Sequence, residues 1–231
     1  MSKKFKLFSK LGSNIIDHPK IKYNRLKKKK WILLKKRSPQ LLSKYGSLLK
    51  AKQILKAYYG NPTEKKFSSL YKKAKILKGN TGINFLKLLE KRLNTVLFRM
   101  GFANSYEEIN QFITHKHILV NGTYVKSPSY LLKSGDVISV HPKSFSFIQK
   151  RILDSFLNQL NSKEMEEIKI TKNISKLIKE NKLLFSPNYI EVNYNILEGI
   201  LIETPSIETL IYPNKIDLPK IIQYYEYIRK I

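Results

Sequence analysis

Cysteine is absent from this chain, which removes disulfides, thiolate metal sites and cysteine nucleophiles together. Histidine is scarce, with only His18, His115, His117 and His141. His115 and His117 stand two apart with no third ligand nearby in sequence, so no metal site and no zinc are expected. None of the GxGxxG, GxxxxGK[ST] or HExxH patterns occurs. "KGNTG" (78–82) has a phosphate-friendly look but lacks the strand–turn–helix context that would make it a phosphate loop. Long apolar runs are missing too. "YIEVNYNILEGILI" is interrupted by Glu191, Asn193, Asn195 and Glu198, and a spanning helix needs about 20 apolar residues. No membrane partner is therefore expected. The few acidic pairs, Glu107 with Glu108 and Glu166 with Glu167, are adjacent in sequence and read as solvated surface. No catalytic residue and no cofactor is expected, and the reading is of a binding protein, not an enzyme.

What is abundant is positive charge. Forty-four Lys and Arg face 17 Asp and Glu, for a formal charge of +27 on 231 residues. Such an excess repels itself in a compact chain and is relieved by a polyanion, of which nucleic acid is the first candidate. Most of the excess lies in the first third: residues 1–80 carry 24 basic and 2 acidic residues. Those residues also carry Trp31, Tyr45, Tyr58, Tyr59 and Phe67, which a disordered tail has little use for. We read residues 1–40, with "RLKKKKWILLKKR", as a basic arm, and 41–83 as packed helices with lysines turned outward. Lys27, Lys28, Lys29 and Lys30 are candidate phosphate contacts in the arm. The N-terminus is no secretory signal, and its lysine bias fits a mitochondrial presequence poorly.

Apolar positions recur at helical spacing near 45–59, and Gly60-Asn61-Pro62 ends that helix. Thr63 is the expected N-cap of the next helix, which runs through Phe67, Leu70, Tyr71 and Ala74. A third helix is expected through "INFLKLLEKRLNTVLFRMG", closed by Gly101. Ser105 with Glu108 predicts a capping box for a fourth. The period then becomes strand-like: "ILV" pairs with "TYVK" across Asn121-Gly122, a strong hairpin signal, and Gly135-Asp136 turns the chain into "VISV". A small ribbon is marginal alone, so it needs the two preceding helices, giving one unit over 84–140. "FIQKRILDSFLNQL" predicts a helix within a segment, 141–187, read as an insertion. "YIEVNY" and "LEGILIETP" are strand-like, and "IDLPKIIQYYEYIRK" predicts a last helix with Pro219 in its first turn.

"KRLNTVLFRMGFANSYEEINQFITHKHILVNGTYVKSPSYLLKSGDVISV" resembles the S4 RNA-binding domain. "KYGSLLKAKQILKAYYG", "KKFSSLYKKA" and "KGNTGINFLKLLEKRL" resemble the N-terminal part of the small-subunit ribosomal protein S4 (uS4) family. "SPNYIEVNYNILEGILIETP" and "YYEYIRK" are similar to its closing segment. Pseudouridine synthases, tyrosyl-tRNA synthetases and heat-shock RNA binders share the domain but not these flanks. The resemblance implies an α+β fold: a helical basic N-terminal region, the S4 domain of two helices on a small β-ribbon, and a C-terminal extension over 188–231 returning to the N-terminal part. It implies a structural constituent of the small subunit that binds the 5′ domain of its rRNA. It also implies a contribution to the mRNA entry side beside the neighbouring proteins uS3 and uS5. The alternative is a free-standing S4-domain RNA-binding protein or an RNA-modifying enzyme.

Carried over residue by residue, the resemblance implies RNA contacts at Lys50, Lys52 and Tyr59 in the N-terminal part. On the domain's first helix it implies Lys87, Lys91, Arg92 and Arg99. On the second helix and its end it implies Asn104, Ser105, His115, Lys116 and His117, with Tyr130 beyond. Three positions depart from the family pattern: Asn94 replaces its usual Asp, and Tyr106 and Asn110 replace its usual Arg. Those last two losses imply weaker contacts from the second helix. Lysine outnumbers arginine 38 to 6. That bias and the 141–187 segment point to a mitochondrial ribosome, with a plastid or the bacterial cytoplasm as the alternative.

Overall fold

The computed structural model describes residues 43–103, 105–159, 187–205, 212 and 216–230. The expected basic arm at 1–40 lies outside them, as does most of the 141–187 segment. The chain divides into two compact units, Met1–Asn84 with Ile211–Ile231, and Phe85–Leu210.

In the first unit, α1 (Lys44–Tyr58) begins where Ser43 Oγ accepts the Gly46 N–H at 3.1 Å. It ends where Gly60 and Asn61 take positive φ (72° and 52°), as the Gly-Asn-Pro signal required. The next helix, α2 (Glu64–Ile76), buries Phe67, Leu70, Tyr71 and Ala74, a strict i, i+3, i+4, i+7 stripe. Thr63 stands at its N-cap but makes no side-chain cap bond, so the expected cap supplies geometry only. The chain's last helix (Leu218–Lys230) packs on α1 and carries Pro219 in its first turn. Aromatic rings fill the space between these helices. Tyr71 stacks on Tyr225 at 4.3 Å, and Tyr58, Tyr59 and Tyr212 meet edge to face.

The expected third helix is two helices. α3 (Thr81–Glu90) opens where Asn80 Oδ1 accepts the Gly82 N–H at 2.9 Å. It stops at Lys91, and α4 (Leu93–Arg99) begins after Arg92, whose ψ of 135° is extended. Three backbone bonds replace the helical ones lost there. Leu93 N–H donates to Tyr130 O, Asn94 N–H to Pro128 O, and Leu132 N–H to Lys91 O. A continuous apolar stripe cannot show such a break, because the partners lie some 40 residues away in sequence. α4 closes as expected on Gly101 (φ 72°), with Phe102 N–H reaching Leu97 O and Gly101 N–H reaching Phe98 O.

α5 (Tyr106–Thr114) shows half of its capping box. Ser105 Oγ accepts the Glu108 N–H at 3.2 Å, and the Glu108 carboxylate pairs with Arg151 at 3.1 Å. The sheet follows: β1 (Ile118–Val120), β2 (Thr123–Tyr124) and β3 (Val137–Val140). Asn121 and Gly122 both take positive φ (48° and 74°), the two-residue turn that a right-handed hairpin prefers. Asn121 then ties this turn to the next one. Its Nδ2 donates to Asp136 Oδ1, and its Oδ1 accepts the Val137 N–H, both at 2.9 Å. A 3₁₀ turn (Pro142–Ser144) leads to α6 (Phe145–Gln159).

β4 (Ile190–Asn193) and β5 (Glu198–Leu201) complete one antiparallel sheet in the order β2-β1-β3-β5-β4. The C-terminal segment read as one piece over 188–231 thus divides between the units. Its strands add to the S4-type ribbon through β3 and β5, pairing Val137 with Ile200 and Ser139 with Glu198. Tyr212 and α7 (Leu218–Lys230) return to the N-terminal helices. Equally, Ile148 and Ile152 of α6 are buried in the same core as Phe112 and Val140, so this part of the 141–187 segment is integral to the fold. The Tyr194 hydroxyl donates to Met100 O at 3.0 Å, and burial pushes its pKa up to about 12.

Gly199 faces Met100 so closely that a Cβ there would sit 2.5 Å from Met100 Cε and 3.1 Å from Glu191 O. Gly199→Ala is expected to cost about 1–3 kcal/mol of unfolding free energy, the usual scale of overpacking, read by urea denaturation.

Candidate nucleic-acid interface

α2 sets the pattern for the first unit. Its apolar stripe faces inward, so Lys65, Lys66, Lys72, Lys73 and Lys75 are left exposed on the rest of its surface, with Lys78 just beyond. Its only acid, Glu64, is engaged within the unit. It accepts from Lys52 at 3.0 Å and Lys56 at 3.2 Å. Burial works to raise its carboxyl, but the two ammonium groups outweigh it and hold it below the usual carboxylate range. The outward lysines therefore present charge that no acid of their own helix offsets. Among the sequence candidates here, Lys50 is exposed and joins this set.

Lys52 and Tyr59 do not. Lys52 is buried, donates to Glu64 and to the Tyr224 hydroxyl at 2.9 Å, and lies 4.1 Å from the Tyr224 ring centroid. It fastens α7 to α1. Tyr59 is fully buried and shares a 2.7 Å hydroxyl bond with Tyr212. Both positions point into the core because they continue the i, i+3/i+4 row of Leu48 and Leu55. The exposed lysines of α2 were legible as the complement of its stripe, yet the resemblance did not single them out.

In the second unit the candidates also divide. Lys87 and Lys91 are one helical turn apart and half-buried. Burial and the neighbouring Lys87 charge hold the Lys91 amine below its ordinary value, as expected where two cations stand together without an acid between them. Arg92 is buried and serves at the α3–α4 break, where it bridges Leu131. Arg99 clasps Glu90 through Nε at 3.2 Å and another guanidinium N–H at 2.8 Å. That fork locks α4 to α3 and is a structural pair. Ser105 is occupied as an N-cap, and Asn104 lies outside the described residues.

His115 and Lys116 are exposed at the end of α5, with Lys116 in the left-handed region (φ 62°). His117 is half-buried and shares a 2.7 Å bond with Ser144. Burial, then the charges of His115 and His141, lowers its pKa. Tyr130 is exposed while its carbonyl serves the helix break. The departures from the family pattern have an internal explanation. Asn94 donates to Asn110 Oδ1 at 3.2 Å, so the Asp and Arg replacements face each other as a neutral pair. Tyr106 stacks on Phe98 at 4.4 Å. All three replacements thus make contacts within the fold.

A helical unit with outward lysines and a unit of helices packed on a small sheet are the parts expected of an RNA-binding protein with an S4 domain. Residues 91–138 match the S4 domain family, and residues 1–90 match the ribosomal protein S4/S9 N-terminal domain. The chain is 34% identical over 224 residues to small ribosomal subunit protein uS4 of Dinoroseobacter shibae, covering 97% of this chain and 96% of that one. It is 32% identical to uS4 of Gluconobacter oxydans, covering 97% of each chain. It is 31% identical to uS4m of Reclinomonas americana, covering 79% of this chain and 66% of that one. The chain belongs to the uS4 family of small ribosomal subunit proteins. These are structural RNA-binding proteins and not enzymes.

Arg99→Ala would remove the two guanidinium N–H donors from the buried Glu90 carboxylate. It is expected to cost about 3–5 kcal/mol of unfolding free energy in urea titrations. Lys116→Ala, at an exposed position, should stay within about 0.5 kcal/mol while weakening RNA binding.

His117 supplies a pH effect of defined sign. Its folded pKa lies below the unfolded value of about 6.5. The stability of the neutral ring is present above that value and is lost as pH falls toward the folded pKa. Urea midpoints should therefore begin to drop as pH falls through about 6.5, and His117→Gln should flatten that part of the curve.

Proposed function

We propose that the chain is a structural constituent of the small ribosomal subunit that binds and organises its rRNA, in the 5′ domain, and contributes to the mRNA entry region beside uS3 and uS5. The observation that carries this is the exposed lysine face of α2, whose one acid is turned to internal partners. Such a face is made for phosphate, which positions a protein on folded RNA without reading its bases. The buried Lys52, bound to Glu64 and the Tyr224 hydroxyl, supplies rigidity to the helices that carry the exposed lysines.

Mitochondrial ribosomes are the proposed setting. The lysine-for-arginine bias and the similarity to the uS4m of Reclinomonas americana support it. Plastid and bacterial ribosomes are the alternative, given similarity to bacterial uS4 proteins. No membrane partner enters the proposal; no helix among the described residues is long and apolar enough to cross one.

The test is sucrose-gradient sedimentation of lysed organelles with mass-spectrometric detection at low and high salt. The expected result is co-sedimentation with the small subunit that survives high salt, because many phosphate contacts and a folded interface act together. Release into the light fractions at moderate salt would overturn the reading. Recovery in a bacterial or plastid ribosome fraction would overturn its mitochondrial part alone.

A further inference from the structure

Three of the chain's four histidines gather at one end of the second unit with aromatic rings that the core does not need. Phe147, on the first turn of α6, is 49% exposed although its ring meets buried Phe112 at 5.9 Å. His117 lies 6.2 Å from Phe147 and stacks on exposed His115 at 6.0 Å, with planes 12° apart. The strip continues across the sheet. His141 N–H donates to His117 O at 2.8 Å, and the His141 ring stacks at 5.7 Å on Tyr124, which is 50% exposed on the edge strand β2. Lys116 Nζ stands 6.0 Å from the Tyr124 ring, and the exposed Lys143 lies two residues past His141, its backbone N–H donating to His141 Nδ1.

Four elements have thus placed flat, half-exposed rings side by side, bordered by lysines. An aromatic residue buried for stability would be covered by its own fold. These rings are supported from below and left open above. Every base has a π-face, and unpaired bases stack on Phe, Tyr and His where lysines hold the adjoining phosphates. An A-form duplex keeps its bases inside and cannot use such a surface. A greasy peptide would use it without needing the lysines.

We propose that Phe147, His117, His115, His141 and Tyr124 form a stacking platform for unpaired bases of the bound RNA, held in place by Lys116 and Lys143. The platform rests on the rRNA-binding reading above and names the kind of RNA element it takes: a loop, bulge or single-stranded junction segment. Tyr124, His141 and Phe147 add sequence-tolerant base contacts to the phosphate contacts of the lysines.

The experiment uses the full chain with a transcript of the small-subunit rRNA 5′ domain. Dissociation constants are measured from 0.1 to 0.4 M salt, and 254 nm cross-links are mapped to nucleotides and residues. Tyr124→Leu and Phe147→Leu keep apolar bulk and remove the ring. Each is expected to bind roughly tenfold more weakly with an unchanged salt slope, since stacking releases no counterions. Lys116→Ala should weaken binding and reduce the slope. The unmodified chain should cross-link at Tyr124 or Phe147 to nucleotides that are unpaired by chemical probing. That readout stands even if a variant folds poorly. Undiminished affinity in both leucine variants, cross-links only to paired nucleotides, or cross-links to a neighbouring protein in the assembled subunit would each overturn the platform. None of these touches the rRNA-binding reading. Failure of the unmodified chain to prefer this transcript over an unrelated RNA would overturn both.

Discussion

A carboxylate without access to water governs the second unit. Glu90 ends α3 fully buried, and an uncompensated charge in that position would cost several kcal/mol. It is compensated from two directions: Arg99 on α4 grips it with two N–H donors, and the Tyr189 hydroxyl, just before β4, donates to it at 3.0 Å. Segments 9 and 99 residues away must therefore arrive together. The helix break at Lys91–Arg92 is the geometric consequence. A continuous helix would not let α4 double back with Arg99 beside Glu90, and the carbonyls and amides freed at the break are taken up by residues 128–132.

The same logic governs the first unit on a smaller scale. Lys52 is a buried cation, satisfied by Glu64 and the Tyr224 hydroxyl, and it joins α1, α2 and α7. Burial raises the neighbouring Tyr225 hydroxyl far above its ordinary pKa, and the Glu64 charge adds to this. In both units a few charged groups are internal joints, while most of the described lysines remain outside. The charge of these described lysines is thus a surface property. It is held apart from the core by amphipathic stripes, and its mutual repulsion is what a polyanion relieves.

Much of the architecture was legible beforehand because its signals are local. The stripe of α2, the Gly60-Asn61-Pro62 stop, the Gly101 closure, the Asn121-Gly122 turn and the Pro219 helix start each depend on residues within one or two turns. They reappear in the fold. The sorting of basic residues was less legible. Lys50 and Lys52 are chemically alike and two residues apart, yet one is exposed and the other buried, since two residues along a helix is more than half a turn. Arg92 and Arg99 look like RNA contacts in sequence and are internal in the structure. Their partners, Leu131 and Glu90, are chosen by tertiary packing.

By itself, the sequence determined the α+β class, the helix and hairpin boundaries set by caps and turns, the absence of thiol chemistry, and the basic character that calls for RNA. These are matters of composition and short-range periodicity. Only the tertiary structure decided where α3 ends and that β4 and β5 extend the ribbon into a five-stranded sheet. It also decided that the Asn94 and Asn110 departures meet each other, and which cations face solvent. The physical reason is common to all four. A buried charge, an unpaired sheet edge or a freed carbonyl must find its partner wherever the chain can bring one. Here those partners lie from 9 to 172 residues away.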